Sequence, residues 1–96
     1  MKIDALMASE QDNVATSLRE IQENENIIMS LGDQTRPVRI LGKIPHGHKF
    51  AVKEILKGEN IIKHGEVIGR ATQDIRVGTH AHIQNIESLR GRGKGK

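Results

Sequence analysis

Val52-Lys53-Glu54-Ile55-Leu56-Lys57-Gly58-Glu59-Asn60-Ile61-Ile62 is the stretch that decides the fold, because its pattern returns elsewhere in the chain. It aligns with Leu18-Arg19-Glu20-Ile21-Gln22-Glu23-Asn24-Glu25-Asn26-Ile27-Ile28 and, more loosely, with Thr72-Gln73-Asp74-Ile75-Arg76-Val77-Gly78-Thr79-His80-Ala81-His82. Each copy places an acidic residue and an isoleucine before a turn, and an apolar strand after it. Gly58 and Gly78 hold the turn position where positive φ is expected, and Asn24, the next most tolerant residue, holds it in the first copy. The unit reads as a short helical or 3₁₀ turn that anchors one isoleucine in the core before the chain reverses into a strand. The copies are too unevenly spaced for a solenoid. They predict a compact β-rich domain whose corners share one solution.

The rest of the chain fits short strands between glycine corners. Lys2 to Met7 alternates and reads as a first strand. Asp12 is placed to cap a short helix near Asn13 to Gln22, with Val14, Leu18 and Ile21 at i, i+4 and i+7. Ile27 to Leu31 and Val38 to Leu41 flank Gly32-Asp33-Gln34-Thr35, a hairpin signal. Pro45 and Gly47 make Ile44 to His48 an irregular crossing. Lys49 to Val52, Asn60 to Lys63, Val67 to Ala71 and His80 to Ile86 complete the strands. A small twisted barrel or folded ribbon is expected.

Composition narrows the chemistry. Ninety-six residues make one small domain, with Phe50 as the single aromatic residue, so the core must come from aliphatic side chains and above all from isoleucine. No cysteine is present, which excludes disulfides, thiol nucleophiles and thiolate-held metal within the chain. The N-terminus lacks a signal-like apolar region, and no stretch reaches transmembrane length, so a reducing cytosol is the expected location. The formal net charge is +3, but Arg90, Arg92, Lys94 and Lys96 are 4 of the 15 basic residues; without them, 11 face 12 acidic groups. Residues 1–89 are therefore expected to form the domain and residues 90–96 a flexible basic tail. That tail carries no aromatic group for base stacking, and nucleic-acid binding is not the expected role.

All five histidines lie between His46 and His82. On an extended chain residues i and i+2 share a face, so His46 with His48, and His80 with His82, each offer two imidazoles to one ion or substrate; surface hydrogen bonding is the alternative. No acidic residue follows either pair at ligand spacing. Lys49, beside the His-Gly-His loop, suits a carboxylate or phosphate. The serines lie in no nucleophile-elbow context and the glycines form no phosphate loop. A binding or accessory domain is expected rather than a complete active site.

Asp12-Asn13-Val14-Ala15, Gly47-His48-Lys49-Phe50-Ala51, Ile55-x-Lys57-Gly58, Ile62-Lys63-x-Gly65-x-x-Ile68-Gly69-x-Ala71 and Asp74-Ile75-x-x-Gly78-x-His80-x-His82-x-x-Asn85 resemble the N-terminal region of the altronate and galactarate dehydratase family, to which sulfolactate sulfo-lyase subunits are related. The resemblance implies a SAF-type β-clip of short strands with one or two short helices. It implies removal of a proton beside a sugar-acid carboxylate, loss of a β-hydroxyl or of sulfite, and a divalent metal, Fe²⁺ or Mn²⁺, in the assembled enzyme. Most of the machinery would sit on a large catalytic subunit. This domain would lend His48, Lys49, Asp12 and Asn13 to the substrate, with His80 and His82 as candidate metal ligands. The family often shows H-x-H-x-H-N where this chain has His80-Ala81-His82-Ile83-Gln84-Asn85, so a three-imidazole site is expected to fall short here. The alternatives are a sulfo-lyase small subunit or a free-standing small β-barrel metal-binding protein. Short strand edges are expected to be covered by a homo-oligomer or a partner.

Overall fold

A computed structural model describes residues 2–89; the predicted basic tail lies outside the described residues. The fold is almost entirely β. A six-stranded sheet runs in the order β4-β3-β1-β2-β5-β8, from β1 Ala5–Leu6, β2 Val14–Ser17, β3 Asn26–Leu31, β4 Gln34–Arg39, β5 Lys49–Ala51 and β8 His80–Ala81. A smaller sheet, β6-β7-β9, is built from β6 Asn60–Lys63, β7 Glu66–Ala71 and β9 Ile86–Ser88. Only β1 and β3 pair in parallel; every other pairing is antiparallel. These short strands, turned by corners, give the β-clip architecture.

The corners show why the repeated pattern exists. The isoleucine of each copy forms an isolated β-bridge instead of the predicted helical turn: Ile21 pairs with Ile44, and Ile55 with Ile75. All four side chains are buried. Ile44-Pro45-His46-Gly47 is thus a fourth copy, keeping the isoleucine and glycine at the same spacing but with Lys43 in place of the acidic residue. Each corner closes with a backbone bond from the fourth turn residue to the first: Glu25 to Gln22, His48 to Pro45, Glu59 to Leu56 and Thr79 to Arg76. The third residue has positive φ every time, at Asn24, Gly47, Gly58 and Gly78, as a type II turn requires. Its N–H then donates to a strand-end carbonyl, of Ile40, Ser17, Ala71 and Ala51 respectively. Those same strand ends return a bond to the carbonyl after the turn, at Glu25, His48, Glu59 and Thr79.

Two aliphatic clusters lie along the clip. Ile21, Ile27, Met29, Ile40, Ile44 and Phe50 form the larger, and Val14, Ile55, Ile61, Ile75 and Ala81 the smaller. Each fully buried isoleucine contributes roughly 1.5–3 kcal/mol relative to exposure. Buried polar groups serve the same frame. Asp4 accepts from the amide of Ile28 and from Arg19 Nε, whose guanidinium also grips Glu25. That hydrogen bond, with a backbone bond from Gln22, lowers the Glu25 pKa to about 2.

Two further elements differ from the sequence expectation: His80 to Ile86 is not one strand, since a turn separates β8 from β9, and the predicted helix is absent. Residues 13–22 form no helix, because Val14, Leu18 and Ile21 do not share a face: Val14 is buried in the smaller cluster, Ile21 in the larger, and Leu18 is exposed. Their helical spacing is incidental, and Val14–Ser17 instead pairs with both β1 and β5.

Gly58 and Gly78 share positive φ but differ in surroundings. A Cβ at Gly58 would meet open space, whereas at Gly78 it would collide with the carbonyl oxygen of Arg39. Gly58→Ala is therefore expected to lower stability by about 1–2 kcal/mol, the backbone penalty alone. Gly78→Ala should lose about 3 kcal/mol or more, since backbone must also shift. Urea unfolding of the two variants compares them directly; equal losses would remove the close approach from the account.

Candidate functional site

Two of the four corners release their chain toward the same place. His48 follows the corner at Gly47 and leads into β5; His80, two residues after Gly78, begins β8. The register of β5 and β8 sets Phe50 opposite His80, and Lys49 opposite Ala81. His48 and His80 consequently meet across the ladder on the side of buried Phe50, and His82 follows two residues on. His48 Nδ1 and His80 Nε2 are 2.9 Å apart, one donating and the other accepting. The ring centroids of His48, His80 and His82 are 4.8 to 5.3 Å apart.

One nitrogen from each of these imidazoles can be chosen so that all lie within 4.8 Å of one another. Two nitrogens bound to one first-row metal at about 2.0–2.1 Å stand roughly 3–3.4 Å apart, so small side-chain rotations bring the set to ligand distance. Neutral imidazole suits Fe, Zn and Ni. The residues present therefore fit a divalent ion, with His48, His80 and His82 as its holders. A third imidazole does stand beside His80 and His82, from His48 just before β5, while Gln84 donates to the His80 carbonyl at 3.2 Å.

The first predicted pair does not form. His46 sits in the turn itself and is exposed, and the positive φ of Gly47 turns the chain before His48, so the two rings do not share a face. The second pair, His80 and His82, does. Its geometry rests on a residue without an assigned role in the sequence, Asn85. Buried Asn85 accepts from the His82 amide and donates to the His80 carbonyl, each at 2.9 Å. The signal available for it was an asparagine three residues after a histidine, a spacing suited to a side chain that closes a turn.

Lys49 and His82 line one groove of about 640 Å³. Burial lowers the Lys49 pKa, and the nearby charge of Lys63 lowers it further. A carboxylate arriving beside Lys49 would relieve both effects. His80 is also shifted down, first by burial and then by His48, His82 and Lys49, which keeps its ring neutral and available as a donor ligand.

Asp12 and Asn13, expected beside the substrate, both bond to backbone. The fully buried Asp12 carboxylate accepts from the amides of Ser9, His64 and Gly65, at 3.2, 3.0 and 2.9 Å. It pins the tight β6–β7 turn, in which His64 and Gly65 both take positive φ. Asn13 bridges to the Asn60 carbonyl and the Ile62 amide, both at 2.8 Å, splicing β2 to β6. Their side-chain bonds are committed to backbone.

Asp12→Ala strands the amides of His64 and Gly65 and is expected to cost about 2–4 kcal/mol in denaturant unfolding. For His80 the sign follows from a folded pKa below the unfolded 6.5. Above pH 6.5 both states are neutral and stability is complete; below it the unfolded chain binds the proton first, and stability falls until the lowered folded pKa is passed. His80→Gln should flatten that acid loss, measured as the unfolding midpoint against pH.

Comparison with known proteins accords with this geometry. The altronate/galactarate dehydratase SAF domain model matches residues 3–89. The chain is 41% identical over 88 residues to altronate dehydratase of Escherichia coli (strain K12), and 37% over 78 residues to that of Bacillus subtilis (strain 168). These matches take in 92% and 81% of this chain but 16% and 15% of the dehydratases, so it spans less than a fifth of their length. It is 32% identical over 93 residues to (2R)-sulfolactate sulfo-lyase subunit alpha of Chromohalobacter salexigens, covering 94% of this chain and 99% of that one. With corners, strands and the histidine cluster falling within the matched residues, this chain belongs to the altronate/galactarate dehydratase SAF domain family.

Proposed function

We propose that this chain is the small, accessory subunit of a sugar-acid lyase, forming one wall of an active site that a large catalytic subunit completes. The observation that carries this is the part-exposed cluster of His48, His80 and His82 beside Lys49, with no carboxylate among its potential ligands. Such a cluster can hold an ion and a carboxylate, and it contains no acidic group of its own. The near-complete correspondence in length with a subunit named alpha supports a two-chain enzyme.

The reaction supported is dehydration of an aldonate or aldarate such as altronate or galactarate. The proton next to the carboxylate leaves, the β-hydroxyl departs as water, and the enol becomes a keto-deoxy acid. Lys49 binds the substrate carboxylate, its lowered pKa rising as the anion approaches. His48, His80 and His82 would hold the divalent metal, Fe²⁺ or Mn²⁺, which when bound stabilises negative charge developing on the substrate. Asn85, bonded to the His80 carbonyl and the His82 amide, fixes the backbone that carries both residues of the second pair.

A second reading, sulfite release from sulfolactate, is favoured by the same length correspondence with subunit alpha. It uses the same wall, with sulfite as the leaving group in place of water.

Mixing this chain with a separately produced large subunit should restore keto-acid formation from altronate or galactarate, or sulfite release from sulfolactate. His48→Ala and His82→Ala should each lower kcat/KM by about 100-fold through weaker ion retention. Lys49→Met should act mainly on KM. A large subunit fully active alone would sink the proposal. A stoichiometric, tightly held ion in the isolated chain, without any effect on the large subunit, would instead indicate a free-standing metal-binding protein.

A further inference from the structure

A large apolar side chain stands unprotected beside the histidines. Ile83, in the turn that follows His82, is 83% exposed, the most of any large hydrophobic residue among the described residues. The turn cannot easily fold it away. Besides the two Asn85 side-chain bonds, the amides of Asn85 and Ile86 both donate to the His82 carbonyl, at 3.0 and 2.8 Å. Its backbone is ordered before any partner arrives, so burying Ile83 costs little further conformational entropy. A preorganised apolar tip of this kind is the raw material of a binding hot spot.

The tip also borders a receptacle. Val67, Ile68, Ile83 and Ile86 line the groove of about 640 Å³ that Lys49 and His82 share. Val67, like Ile83, is exposed in the absence of a partner. Through His82, which lines it, the groove adjoins the histidine cluster, and whatever fills the apolar part is carried to that edge of the cluster. Those imidazoles supply three nitrogen donors and the cluster itself holds no carboxylate, leaving coordination positions to be filled.

Resting on the small-subunit reading above, we infer that the Ile83 turn and the Val67–Ile68–Ile86 groove are the docking surface for the large catalytic subunit. Apolar side chains of that subunit fill the groove, and its oxygen donors and base meet substrate at His48, His80, His82 and Lys49. Two facts select this occupant over a second copy of the chain. The surface adjoins a part-exposed cluster of three imidazoles, to which a second copy would bring only the same groups again. More than four-fifths of each matched dehydratase lies outside the region this domain represents.

The test uses the full chain and the large subunit, with Ile83→Asp and Val67→Asp as variants. Both positions are exposed, and unchanged circular dichroism and melting midpoint would show that the variants fold. Calorimetric titration should show affinity for the large subunit reduced by at least about 10-fold, with activity recovered at saturating variant. His82→Ala should show the opposite split, binding retained and activity lost. If the wild-type chain binds the large subunit and restores activity but Ile83→Asp binds equally well, the docking surface is wrong and the small-subunit reading stands. If the wild-type chain neither binds nor activates, that reading falls and the inference falls with it. If sedimentation shows that Ile83→Asp only splits a homodimer, leaving large-subunit affinity intact, the groove belongs to a second copy and the inference is overturned.

Discussion

The positive φ shared by Asn24, Gly47, Gly58 and Gly78 is the constraint on which the rest of the structure depends. At each of these positions the turned amide reaches a strand end, and that strand end returns a bond. The isoleucine three residues earlier is pulled into the core as one half of a bridge. Backbone conformation, hydrogen bonding and apolar burial are thus coupled within a single corner. A domain with one aromatic residue gains its definition from repeating that corner rather than from large interlocking side chains.

The same device prepares the site. In two corners the residue after the positive-φ position is glutamate, and its carboxylate folds back onto its own turn: Glu25 caps the Gln22 amide and Glu59 the Leu56 amide. In the third the equivalent residue is His48, whose ring meets His80 instead. Pro45, the first residue of that turn, has no N–H to be capped, so a carboxylate after Gly47 would have no amide of that kind to accept from. In the fourth corner the equivalent residue is Thr79, so the self-capping glutamate belongs to two of the four copies.

Charge is divided along the clip in a matching way. Asp4 and Asp12 are buried and satisfied by backbone amides, with Arg19 added at Asp4, so they fix strands and turns. Around the histidines the balance is reversed: three clustered imidazoles stand together with a half-buried lysine whose pKa burial lowers. Such an arrangement is costly alone and favourable once an anionic substrate enters. The exposed Ile83 and the groove beside it add an apolar face to that incomplete polar one.

Much of the fold was legible because its cause is local. A glycine or asparagine three residues after an isoleucine marks a corner, since few residues accept positive φ, and strands between corners follow from aliphatic alternation. Ile44-Pro45-His46-Gly47 obeys the same spacing; its proline and histidines merely disguised it. Residues 13–22 misled for the opposite reason, since helical spacing says nothing about which of two cores each side chain enters. By itself, then, the sequence determined the corners, the β character and the residue types at the site: His48, Lys49, His80 and His82. Only the tertiary structure decided their grouping, drawing His48 to the second pair and away from His46, and turning Asp12 and Asn13 into anchors for the backbone. Corners depend on torsions that a few adjacent residues dictate. The site depends on the register between β5 and β8, which brings together residues 32 apart in the chain.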